Sequence, residues 1–324
     1  MSSSFHRLLI KNRRNLSISL IFVCTLYFGA VLLADPEKIY SAFSKMSGLN
    51  WLLVVSCSLS NYILRFIRWH YYLHYLSHQI SLLQHFLYYM AGFALTITPA
   101  KIGETIRSTY LAQHGVPYTH SLAMFFIERL LDVIVIALLS LFSLRIGWDN
   151  TSANINNFII ISVIAIVSFI PLLRQIFVTQ FIELLRSKVS WLRLRKLLKH
   201  LILLLLTARD LFALKPIYTG FLLGTIAWVI QGFAFYFILT TLNIEIGLEQ
   251  SIGIYAISLL AGALSFIPGG IGTTEAVMTL LLTMLGADTS TAIAAALISR
   301  LSTLWFAVGL GFCAALTLSF RDNS

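Results

Sequence analysis

Six stretches of this chain are apolar over roughly 20 residues, the length of helix that crosses a hydrocarbon core about 30 Å thick. They fall near 16–34, 49–70, 120–144, 155–173, 217–241 and 290–318. In lipid a backbone must satisfy its own polar groups, and apolar runs of this length without alternation predict helices. Only 11% of the residues are charged, against roughly 25% in a soluble domain, so no water-soluble fold fits. The expected fold is a single all-α integral membrane domain over 1–324, because no polar stretch is long enough for a separate soluble domain. The first run is too long for a signal-peptide core and has no evident cleavage site before Asp35-Pro36-Glu37, so it is expected to stay as an anchor. Cys24, Cys57 and Cys313 lie in apolar runs without paired spacing and are expected to be small buried hydrophobes.

The net charge of +10 is clustered. His6, Arg7, Lys11, Arg13 and Arg14 precede the first run, and nine cations crowd the stretch from Arg174 to Lys215. Basic residues flanking apolar spans set topology, so this pattern predicts both termini and the 174–216 segment on the cytoplasmic side of a cell membrane, not a nucleic-acid surface. The loops 35–48, 145–154 and 242–249 then face outward, with acids outnumbering cations. Within the basic segment, WLRLRKLLKHLILLLL mixes cations with leucine at helical spacing. It predicts an amphipathic helix on the cytoplasmic surface, a place where a separate lipid-modifying enzyme could dock.

Two further apolar runs, 82–98 and 250–267, each end in a Pro/Gly break followed by a shorter, more polar helix. If 82–98 crossed alone, every later segment would invert and the basic segment would face outward. Both are therefore expected to be re-entrant hairpins. Their sequences match: GFALTITPAKIGETIR (92–107) and GALSFIPGGIGTTEAV (262–277) share Gly, an apolar run, Pro, Ile-Gly and Glu. A constant offset of 171 then relates Glu104 to Glu275, Gly115 to Gly286 and Arg129 to Arg300. The pattern predicts a duplication, with repeats near 82–144 and 250–318. Three crossings lie between the hairpins, an odd number, so the repeats should be inverted and their tips should meet near the midplane, as in transporters.

Non-helical backbone at membrane depth must be buried in protein or line a wet cavity. The hairpin tips Pro99, Gly103, Pro268, Gly269, Gly270 and Gly272 are thus site candidates, the glycines either admitting a ligand to the backbone or only permitting a turn. The helix starts after each break offer free amides suited to an anion. Glu104, Arg107, Glu128, Arg129, Asp132, Glu275 and Arg300 cost at least about 2.5 kcal/mol each in hydrocarbon unless paired or wet. The spacing pairs Glu104 with Arg129 and Glu275 with Arg300, either as structural ion pairs or as a binding site. Glu128 and Asp132, one helical turn apart, are candidate coupling groups. Arg65 and Arg68 beside Trp69 are read either as side chains snorkelling to the interface or, for Arg68, as a headgroup ligand. His70, His74 and His78, with Tyr71, Tyr72 and Tyr75, read as an interfacial belt and not as a metal site.

Read together, NYILRFIRWHYYL (61–73), PAKIGETIR (99–107), ERLLD (128–132) and PGGIGTTEA (268–276) followed by Arg300 resemble the lysylphosphatidylglycerol synthase transmembrane family, also called flippase-like. The resemblance spans nearly the whole chain. It implies translocation of an aminoacylated phospholipid where a synthase domain is fused, and handling of lipids or polyprenyl-linked sugars in stand-alone units. A synthase domain is not expected here, since Asp322-Asn323-Ser324 follow the last span directly, so aminoacyl transfer by this polypeptide is not expected.

The leading expectation is a flippase or transporter for an anionic phospholipid or lipid-linked headgroup, not an enzyme and without a cofactor. Arg68, Lys101, Glu104, Arg107, Arg129, Glu275 and Arg300 are the candidate headgroup ligands. No GxxxxGK[ST] occurs, so ATP would have to be used by another chain. One alternative is a glycosyl or headgroup transferase using Asp35 and Glu37; their plainer reading is as loop acids beside a helix-ending Pro36. The other alternative is a scaffold recruiting a lipid enzyme through the basic helix.

Overall fold

The computed structural model describes residues 35–147 and 207–321; for 99–102, 142–147 and 321 only the backbone is described. The crossings expected at 16–34 and 155–173, and the basic segment up to 206, lie outside the described residues. The described residues are helical, without a strand. They form α1 (Pro36–Lys45), α2 (Gly48–Tyr75), α3 (Leu82–Gly92), α4 (Arg107–Ala112), α5 (Tyr118–Gly147), α6 (Leu214–Thr241), α7 (Leu248–Leu264), α8 (Thr273–Met284), α9 (Thr289–Arg300) and α10 (Phe306–Arg321). Short 3-10 helices at Phe93–Leu95, Pro99–Ile106 and Pro268–Gly270 occupy the breaks.

Among the described residues three helices are long and apolar enough to cross a membrane: α2, α6 and the continuous stretch Thr289–Phe320 made by α9, a π-helical turn at Leu301–Trp305, and α10. The protein is a multi-pass membrane protein. The 28 residues of α2 and of α6 span about 42 Å at 1.5 Å per residue, more than the hydrocarbon core, so their ends reach the interfaces. α5 is 30 residues long and carries Glu128, Arg129 and Asp132 within it. Large apolar side chains such as Leu52, Ile63, Ile67, Leu222 and Phe233 point away from the protein, as a lipid-facing surface requires.

α2 and α6 pack closely and antiparallel: Gly220 lies under Tyr72, Gly224 under Arg68, and the Asn61 amide donates to the Ala227 carbonyl at 2.7 Å. Gly220 and Gly224 form a G-x-x-x-G face, and a Cβ at Gly220 would run into the Tyr72 ring, so the small residues set the approach.

The two halves keep a common register. α2 and α6 have equal length and starts 166 residues apart; the left-handed residues after them, Ser77 and Asn243, and the next starts, Leu82 and Leu248, keep that offset. Beyond the breaks the offset is 171, relating the starts of α5 and α9 and the positive-φ turns at Gly115 and Gly286. The similarity thus begins one helix earlier than the sequence motifs indicate. The turn between α4 and α5 lies at the carboxy end of α2, where His78 and His120 are 2.9 Å apart. The turn between α8 and α9 lies at the other end, beside α1: Ser290 accepts from the Asp35 amide at 3.2 Å and Asp288 pairs with Lys38 at 3.1 Å. The hydrogen bond from Lys38 holds the Asp288 carboxyl below its ordinary range.

Two expectations need correction here. Pro36 starts a helix and does not end one: Asp35 caps α1 by accepting from the Glu37 amide at 3.0 Å, and Pro36 takes the first turn, where its missing N–H costs nothing. Cys57 is only partly buried and Cys313 is exposed on the apolar surface, so neither is a core residue.

Candidate functional site

The charged groups of the first half converge between α2, α4 and α5. Arg65 and Arg68 share one face of α2 at i, i+3 spacing, and Glu128 and Asp132 share one face of α5 at i, i+4. Packed together, these faces give Arg68–Asp132 at 2.8 Å, Arg65–Glu128 at 3.3 Å and Arg65–Asp132 at 3.4 Å. Arg107 joins from the start of α4, reaching Glu104 at 2.7 Å and Glu128 at 3.3 Å, and its guanidinium stacks on Tyr89, 4.0 Å from the ring centroid. Arg129 lies 2.9 Å from Glu128 and 3.2 Å from Asp132. Neutral donors complete the shell: Tyr89 to Glu128 at 2.9 Å, Thr96 to Glu104 at 2.7 Å and the Trp228 indole to Asp132 at 3.3 Å.

The second half is simpler. Arg300 at the end of α9 pairs with Glu275 at 2.9 Å and donates to the Gly269 carbonyl at 2.5 Å, tying helix, hairpin helix and hairpin tip together. Gly269, Gly270 and Gly272 all have positive φ, so the turn itself requires glycine there. At the offset of 171, Ser299 and Thr303 stand where the first half has Glu128 and Asp132. Among the described residues the multi-arginine network is thus carried by the first half, with Trp228 of α6 donating into it.

The two breaks touch each other, and a cavity of about 270 Å³ opens beside them. Its lining combines Arg129, Asp132, Arg300, Thr98 and Thr274 with the apolar Val133, Leu259, Ala263, Phe266 and Ile267. Phe266, 73% exposed and at φ 54°, holds a backbone conformation unusual for a bulky residue at the edge of this space. Among the described residues, five guanidiniums (Arg65, Arg68, Arg107, Arg129, Arg300) meet four carboxylates (Glu104, Glu128, Asp132, Glu275) in this region. The surplus is one positive charge. Arg129 has the most exposed side chain of the first-half network, at 19%.

The sequence candidates fare differently. Glu275 and Arg300 pair as their spacing indicates, whereas Glu104 lies 2.7 Å from Arg107 and only 3.9 Å from Arg129. Arg65, Arg68 and Trp69 do not snorkel: they are buried, and Arg68 pairs with Asp132 on α5. At each break one backbone amide is already taken by a side chain. Thr98 accepts from the Gly103 amide at 2.6 Å, and Glu275 accepts from the Gly272 amide at 2.7 Å. Of Lys101 only the backbone, within Pro99–Ile106, is described.

The histidine belt is partly internal. His70 meets the buried His85 at 2.8 Å and Tyr72 is buried, while His74 and Tyr75 are exposed. Among the described residues no three histidine, cysteine or acidic side chains cluster as a metal site. The polar residues missed by the sequence reading are Asn61, Tyr89, Thr96, Trp228 and Gln231; amides inside apolar spans were the signal that could have found Asn61 and Gln231.

A family model described as the lysylphosphatidylglycerol synthase TM region matches residues 16–311, a stretch that contains every group named above in the charged network and both breaks. No curated protein matches the chain.

Proposed function

The chain belongs to the lysylphosphatidylglycerol synthase TM region family, and on that premise we propose that it moves an anionic phospholipid or lipid-linked headgroup between bilayer leaflets. The observation that carries this reading is the cavity beside the two breaks, lined by Arg129 and Arg300 together with apolar side chains. An amphipathic anion matches such a lining. Its phosphate meets guanidiniums that are already partnered by carboxylates, and the surplus positive charge is neutralised on binding.

The proposed architecture has six crossings and two re-entrant hairpins entering from opposite faces as inverted repeats, with both termini cytoplasmic. The antiparallel α2 and α6, the shared register and the placement of the two hairpin turns at opposite ends of α2 support it. Rocking of one half against the other would then expose the cavity to each leaflet in turn. Arg300, held to both the Glu275 side chain and the Gly269 carbonyl, couples the second tip to that movement.

The test uses the purified full chain in liposomes of phosphatidylethanolamine and phosphatidylglycerol, carrying acyl-labelled NBD lipids. Dithionite bleaches only outer-leaflet label, so leaflet exchange appears as loss beyond the outer fraction. The expected result is exchange of NBD-phosphatidylglycerol faster than in protein-free vesicles. Identical bleaching in both, with a folded protein, sinks the proposal.

A further inference from the structure

α7 ends in a way its sequence does not favour. After Ser265, which closes the helix, Phe266 takes φ 54°, a left-handed position that helix ends ordinarily give to glycine. The other described non-glycine residues with positive φ, Ser77 and Asn243, are small and polar; Phe266 is the bulky one. Ser265 holds it there. Its hydroxyl donates to the Gly262 carbonyl at 2.8 Å and accepts from the Ile267 amide at 3.2 Å, bracketing Phe266 from both sides. The ring gains little from burial in return, being 73% exposed. At the other break Ile97, two residues before the proline, has no positive φ and packs against Ile271 and Leu304. Neither backbone preference nor core packing therefore accounts for an aromatic ring at Phe266.

Its place does. Among the residues lining the cavity beside the breaks, the exposed ones are Val133, Ala263 and Phe266, all apolar, while Asp132, Thr274 and Arg300 are buried. The cavity thus has an apolar mouth, with charged groups deeper inside. Val133 is the sixteenth of the 30 residues of α5, so in the proposed architecture this mouth lies near mid-membrane depth and faces hydrocarbon. We propose that Phe266 is a door at this lateral mouth, through which the apolar chain of an amphipathic ligand projects into lipid while its anionic group occupies the cavity. The inference rests on the transport reading for the identity of the ligand. With the mouth empty, the ring shields the charged interior from hydrocarbon. A chain entering the mouth displaces it and lets Phe266 leave the left-handed region, so the strain held there lowers the cost of opening.

The test uses the full chain and separates the door from transport. Phe266→Cys, in a chain lacking Cys24, Cys57 and Cys313, is labelled with bimane. In vesicles, lipids brominated near the ends of their acyl chains are expected to quench the label most; stronger quenching by aqueous iodide overturns the lateral mouth. In detergent, dihexanoyl-phosphatidylglycerol is expected to shift the label's emission and glycerol 3-phosphate, which has no chain, to leave it unchanged. Phe266→Gly removes ring and strain together, whereas Phe266→Ala removes the ring and keeps the backbone position. The glycine variant is expected to melt about 2 °C above the alanine variant. Both are expected to exchange NBD-phosphatidylglycerol about fivefold faster than the unmodified chain, because no ring has to move. A label shift without leaflet exchange in any variant leaves the door standing and removes the transport reading. Exchange that neither substitution alters, or a label indifferent to the short-chain lipid, overturns the door.

Discussion

Replacing Glu128 by glutamine is expected to destabilise the protein more than any other single neutralisation in the membrane region. Glu128 is fully buried and lies within ion-pair distance of Arg65, Arg68, Arg107 and Arg129. Removing its charge leaves four guanidiniums around only Glu104 and Asp132, and breaking a buried pair by deleting one partner costs about 3–5 kcal/mol. In detergent this should lower the apparent melting temperature by about 10 °C or more. Glu275→Gln is the internal comparison. Glu275 compensates one arginine and caps one amide, so its loss should cost distinctly less. Equal effects of the two substitutions would show that the first-half network is not the hub its geometry indicates.

Neutralising Arg129 should do the opposite: little to stability, much to transport. Without Arg129 the first-half network contains three arginines and three carboxylates, so the fold keeps a balanced core. What disappears is the surplus charge and the most exposed guanidinium of that network, which lines the cavity. A charge-assisted hydrogen bond to phosphate is worth about 1.5–3 kcal/mol, so exchange of NBD-phosphatidylglycerol by Arg129→Gln should fall by about 10- to 100-fold. The melting temperature should stay close to that of the unmodified chain. A purely structural ion pair predicts the reverse, a destabilised protein whose remaining folded fraction exchanges lipid normally, so the two measurements together decide between the readings.

Much of this architecture is legible in the sequence because lipid imposes a simple rule on it. The described spans begin and end within a few residues of the apolar runs, and the Pro/Gly breaks fall at Pro99 and Pro268 as their spacing indicates. The partnership of Glu275 with Arg300 is legible too, since a matched spacing in both halves singles those residues out.

What the sequence conceals is mostly long-range. Arg65 and Arg68 look interfacial because their position in α2 is all that local pattern conveys; the acids that bury them lie 63 and 64 residues away on α5. The common spacing extends back to α2 and α6, but lipid-facing helices draw on so few residue types that only helix lengths and the left-handed turns at Ser77 and Asn243 reveal it. Pro36 misleads for a different reason. Proline suits a helix start as well as a helix end, and only the Asp35 cap decides between them. At each break one amide, of Gly103 or Gly272, is taken by a short-range side-chain cap, Thr98 or Glu275, a contact that the residue pattern alone does not announce.

The claim on which the rest depends is that the two hairpins enter the membrane from opposite faces, and one measurement tests it directly. Single cysteines at Gln113, in the exposed turn after the first hairpin, and at Thr289, exposed after the second, are introduced into a chain lacking Cys24, Cys57 and Cys313. Both variants are then labelled in intact, sealed vesicles of known orientation with a maleimide that cannot cross the bilayer. Labelling of Gln113→Cys from the cytoplasmic side only and of Thr289→Cys from the opposite side only is the predicted result; both sites reacting from the same side would contradict the account.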